Sequence, residues 1–99
     1  MIPAAHALIY SLQRCQKFQP GDRLGIFSFK KDRGYWLEKL DDADGCFSLE
    51  VFGFMAQKIR CPYSQLRTVL KPVIAREFPR SNKLHVKFIP AEAQLALAL

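Results

Sequence analysis

Ninety-nine residues with 49% hydrophobic side chains, among them eight Phe, three Tyr and one Trp, suffice for a single domain with its own core and exclude a chain disordered throughout. Fifteen Lys and Arg against nine Asp and Glu leave a formal net charge of +6, a bias toward an anionic partner. No apolar run approaches the roughly 18 residues of a membrane span, and Met1-Ile2-Pro3-Ala4-Ala5-His6 lacks the segments of a signal peptide, so a soluble cytoplasmic protein with no membrane partner is expected.

Pro3 suits the first turn of a helix, and Ala5, Leu8, Ile9, Leu12 and Cys15 then recur at helical spacing, with Arg14 and Lys17 near the end where cations complement the dipole. Gln19-Pro20-Gly21-Asp22 stops it. Arg23 to Lys30 is rich in Ile and Phe, Lys31-Asp32-Arg33-Gly34 reads as a turn, and Tyr35 to Leu40 resumes the β pattern, which predicts a hairpin. Cys46 to about Met55 makes a third strand, with Phe47, Leu49, Val51 and Met55 on one face and Cys46, Ser48, Glu50, Phe52 and Phe54 on the other.

Cys61-Pro62 opens a second helix ending near Phe78-Pro79. Its apolar stripe is Tyr63, Leu66, Val69, Leu70, Val73 and Ile74, and Pro72 falls on the polar side with Thr68, Lys71 and Ala75. Leu84, Val86 and Phe88 alternate with Lys83, His85 and Lys87, the pattern of a half-buried strand with a basic outer face. The expected fold is a single α+β domain over 1–99, of order α-β-β-β-α-β: an antiparallel sheet of about four strands with two helices packed on one face. Residues 91–99 form a tail or an arm that docks on a neighbour.

Three short stretches bear on chemistry. Leu37-Glu38-Lys39-Leu40-Asp41-Asp42-Ala43-Asp44-Gly45 resembles the motif of the LAGLIDADG homing endonucleases. In that family a helix precedes a metal-binding carboxylate, and the resemblance implies Asp44 as ligand. Glu38 and Lys39 stand where the family has small residues, however. The same residues also suit a type I turn followed by a left-handed glycine, and this reading accounts for more of them.

Cys61-Pro62-Tyr63-Ser64 resembles the Cys-Pro-Tyr-Cys site of glutaredoxins with Ser64 in place of the second cysteine, which implies a monothiol at Cys61. Arg33-Gly34-Tyr35 is similar to the start of the basic-Gly-aromatic signature of the RNA-recognition motif, in which exposed aromatics stack on bases. Trp36, Leu37 and Glu38 then depart from that signature.

The chain has no Cys-x-x-Cys pair, and His6 lies far from His85 in sequence. Neither a metal nor any other cofactor is expected, and three widely spaced cysteines, Cys15, Cys46 and Cys61, fit a reducing compartment. Without a glycine-rich phosphate loop, a Ser/His/Asp order or a carboxylate pair outside the turn, catalysis is the minority reading, and Cys61 and Asp44 are its candidates.

The leading expectation is a small basic binding or accessory module whose partner is RNA or DNA, contacted by Lys30, Lys31, Arg33, Tyr35, Arg80, Lys83 and Lys87. Interaction with another protein or with itself comes second, and monothiol redox chemistry at Cys61 third.

Overall fold

The computed structural model describes residues 1–53, 56–79 and 82–92. Period-two alternation in the middle of the chain produces strands, and period-3.6 stripes on either side produce helices. In order these are β1 (Ile2–Pro3), a 3-10 turn (Ala4–His6), α1 (Ala7–Gln16), β2 (Arg23–Phe27), β3 (Gly34–Lys39), β4 (Phe47–Phe52), β5 (Gln57–Cys61), α2 (Tyr63–Glu77) and β6 (Lys83–Ile89). The strands form one sheet in the order β1-β6-β2-β3-β4-β5, and every pairing is antiparallel.

Leu24 and Ile26 of β2, Tyr35 and Leu37 of β3, Leu49 and Val51 of β4 and Leu84 of β6 point to one side of the sheet and are buried there. Both helices cover that side, contributing Leu12 and Cys15 from α1 and Leu66, Leu70 and Val73 from α2 to the same core. Two polar contacts fix α1 over it. The Ser11 hydroxyl and the Tyr35 phenol share a hydrogen bond of 2.7 Å, both groups being buried, and the Tyr63 hydroxyl donates to the Leu12 carbonyl at 3.1 Å.

The loop between α1 and β2 is tied to the far end of the chain through Asp22. One of its carboxylate oxygens accepts from the Gln19 amide at 3.0 Å, and the other from the Ala91 amide at 2.8 Å. The link closes a gap of 69 residues in sequence.

The α+β class, the two helices and the antiparallel sheet agree with the expectation. The strand count does not: six strands replace about four, and the order becomes β-α-β-β-β-β-α-β. β1 arises because Ile2 and Pro3 pair with Leu84 and Lys83, so Pro3 is extended, Ala4–His6 form the 3-10 turn, and α1 starts only at Ala7. Pro3 is suited to that place, since an edge residue needs no amide for a further neighbour.

β5 was hidden because Gln57-Lys58-Ile59-Arg60-Cys61 is polar at alternate positions and places only Ile59 and Cys61 toward the core. An edge strand needs little more. In α1, the buried set is Ala7, Ser11, Leu12 and Cys15, while Ile9 is 54% exposed. The stripe of α2 is as expected, with Pro72 exposed inside the helix and Glu77 added to the buried set. Phe54, Met55 and the tail from 93 to 99 lie outside the described residues. No helix among the described residues is long and apolar enough to cross a membrane.

Candidate functional site

Strand alternation that sends Leu24, Tyr35, Leu37 and Leu49 into the core sends their neighbours to the opposite side, which neither helix covers. Register sorts this open face into rows. Lys87, Gly25, Trp36, Glu50 and Lys58 lie across β6, β2, β3, β4 and β5 in one row. Ile89, Arg23, Glu38, Ser48 and Arg60 form the next, and His85, Phe27, Gly34 and Phe52 the row on the other side.

Three aromatic side chains meet at the centre of the face. Phe27 lies edge-on to Trp36 with ring centroids 5.1 Å apart, and packs against Phe52 at 5.7 Å. The Arg23 guanidinium sits 4.7 Å from the Trp36 ring centre, and Arg23 is also held by Glu38 at 3.5 Å. Glycine makes this possible: a Cβ at Gly25 would stand 2.8 Å from the Trp36 ring and 2.4 Å from that of Phe27, so the two rings occupy the space a side chain would take.

Around the rings the exposed charges are Lys87, Lys58 and Arg60, with Glu50 on the central row. A depression of about 350 Å³ lies on this face, between the Trp36 ring and the β5 edge. At one corner Phe29, 71% exposed, stacks on His85 at 5.9 Å and extends the aromatic surface toward the β2–β3 loop.

The cations expected to bind nucleic acid divide between two places. Lys30, Arg33 and Lys83 line a cavity of about 810 Å³ at the loop end of the sheet, together with Phe29. Lys31 is exposed in the same loop, where it adopts a positive φ of 61°. That loop is braced by Ser28, whose hydroxyl donates to Asp32 at 2.8 Å and holds that carboxyl below its usual range.

Lys87 stands on the open face beside the aromatic rings. Tyr35 is fully buried with its hydroxyl engaged by Ser11, and burial pushes the phenol's pKa upward, so it offers no ring to a base. Its neighbour Trp36 occupies the outward position instead. Arg80 lies outside the described residues.

Trp36, Phe27, Arg23, Lys58 and Glu50 were not among the expected site residues. Their signal was present in the alternation, because once Leu24, Tyr35 and Leu37 are assigned inward, Arg23 and Trp36 must face outward.

The two catalytic candidates take ordinary structural positions. Trp36 to Lys39 belongs to a strand, so the helix that the homing-endonuclease resemblance requires is absent, and Asp44 is exposed in the following turn. The turn itself is as the alternative reading has it. The Gly45 amide donates to the Asp42 carbonyl at 3.2 Å with Gly45 at φ +62°, and the Asp42 carboxylate accepts from the Cys46 amide at 3.0 Å while pairing with Arg60. Among the described residues no group of three or more His, Cys, Asp or Glu side chains is placed to hold a metal ion.

Cys61 ends a strand rather than opening a helix. It is buried, and burial, with a smaller contribution from Cys46, pushes its thiol pKa up, opposite to an activated thiolate. Cys15, deeper in the core, is pushed up to about 12. The antiparallel pairings also lack the parallel strands of a glutaredoxin fold. Comparison of the chain with protein-family models, curated proteins and solved structures finds no match.

Proposed function

We propose that this protein is a small, basic, non-enzymatic module that binds single-stranded RNA or DNA on the face of its sheet opposite the helices. The observation that carries the reading is the cluster of Phe27, Trp36 and Phe52 rings opposite the helices, with Arg23, Lys58, Arg60 and Lys87 around them. Aromatic rings on a sheet give unpaired bases a stacking surface, worth about 1–3 kcal/mol per base, and the cations neutralise the phosphates between them. A duplex keeps its bases stacked on one another and would use only the cations. Lys30, Lys31, Arg33 and Lys83 at the loop end extend the track for the backbone, with Phe29 as a further stacking ring.

Trp36 is the one tryptophan, so its fluorescence reports on the site directly. Titration with single-stranded oligonucleotides of about 12 residues should quench it, with affinity falling steeply as salt rises. Trp36→Ala, followed by anisotropy of a labelled strand, should weaken binding by roughly fivefold to a hundredfold. Absence of salt-dependent binding at micromolar protein would end the proposal.

Self-association through the same face is the second reading, favoured by the 71% exposure of Phe29 beside the aromatic cluster. Light scattering separates the two, because a monomer at high concentration leaves the face free for a ligand.

A further inference from the structure

The depression beside Trp36 has a chemical character that a general stacking surface does not need. Its walls are the Trp36 ring, Ser48 and two carboxylates, Glu38 and Glu50, with Lys58 and Arg60 on the outer rim. Glu38 is engaged by Arg23, and Arg60 by Asp42. Glu50 and Lys58, directly opposite one another, are not paired, since the ion pairs among the described residues are Arg23 with Glu38, Arg60 with Asp42 and Arg76 with Glu77. An acceptor-only group therefore stands beside the stacking ring, in the same cross-strand row.

We propose that this depression is a base subsite selective for guanine, a reading that rests on nucleic-acid binding by the open face. The selection follows from donor geometry. Guanine presents two adjacent donors, N1–H and the N2 amino group, on its Watson–Crick edge, and the two oxygens of Glu50 accept both. Adenine and cytosine place an acceptor nitrogen beside their amino group, and uracil flanks its one N–H with carbonyl oxygens, so each sets an acceptor against a carboxylate oxygen. Arg23 and Trp36 form the platform under the base, with Glu38 holding the guanidinium in place. Lys58 lies across from Glu50 at the β5 edge, where it can neutralise the phosphate of the same nucleotide and offset the repulsion a carboxylate would exert on it.

The test uses the full chain and labelled RNA heptamers of uridine whose central position is guanosine, inosine, adenosine, cytidine or uridine. Guanosine should bind roughly tenfold or more tightly than uridine, on the scale of one bidentate base contact. Inosine, which lacks the N2 amino group, should fall between them. In Glu50→Gln, whose folding is checked by circular dichroism, the ratio of guanosine to uridine affinity should collapse to within about twofold. Equal affinity for all five heptamers would overturn the guanine subsite while leaving the binding face intact. A preference that survives both Glu50→Gln and Glu50→Ala would overturn the role of Glu50. Binding of no heptamer at all would overturn both proposals together.

Discussion

Asp42 shows how a single side chain decides a local structure. Its carboxylate accepts from the Cys46 amide and pairs with Arg60, which joins the β3–β4 turn to β5 two strands away in sequence. The Cys46 amide, with Arg60 adding to it, holds the carboxyl below the ordinary aspartate value of 3.8. A folded-state pKa below the unfolded one means that the stabilisation is complete above the unfolded value and is lost as pH falls through the folded value. Urea midpoints measured between about pH 6 and pH 3 should therefore fall on acidification, and Asp42→Asn should lower the midpoint at neutral pH and flatten that acid slope. Asp32, held down by Ser28, contributes to the same window and keeps part of the slope in the variant. The turn was legible in sequence because the chemistry is local: an aspartate first, and a glycine free to take φ +62°.

At the scale of elements, the contact between α1 and β3 depends on the Ser11 and Tyr35 hydroxyls, which are buried and partner one another at 2.7 Å. Removing either one leaves the other without a partner in the core. Tyr35→Phe and Ser11→Ala are each expected to cost about 1–3 kcal/mol in chemical denaturation, the desolvation penalty of an orphaned hydroxyl. The double variant should cost less than the sum of the two, because the orphan is then gone, and strict additivity would show that the bond does not act as a pair. This contact also explains the misassignment of Tyr35 to a binding surface. Tyr35 and Trp36 are adjacent aromatics in a strand, so one must face in and the other out, and neither the Arg33-Gly34-Tyr35 pattern nor propensity says which. The helix decides, by offering a hydroxyl on the inner side.

For the whole molecule, a net charge of +6 matters less than its distribution. Lys87 and Lys58 are at opposite ends of the row that contains Trp36, with Glu50 between Trp36 and Lys58. On the proposed reading, a nucleic-acid strand crossing the sheet along that row would meet a cation on each side of the Trp36 ring. Lys87→Glu should reduce the slope of log affinity against log salt by at least about 0.7, the value for one phosphate contact on a single strand. The same change on a cation remote from the face, such as Lys71 on the exposed side of α2, should leave the slope where it was. Equal slopes for both variants would show that the charge acts globally and not through this face.

The sequence by itself determined the parts whose information is local. The stripe of α2, the inward residues of β4, the Asp42–Gly45 turn and the basic outer face of β6 all follow from spacing and turn chemistry. Tertiary structure decided what depends on neighbours distant in the chain. Ile2 and Pro3 are a strand only because Leu84 and Lys83 accept them, and Gln57 to Cys61 is one only because β4 supplies a partner. It also decided which face the helices left free. Both helices pack on the side where Leu24, Leu37 and Leu49 demand cover, and that leaves Trp36 among the cations of β2, β5 and β6.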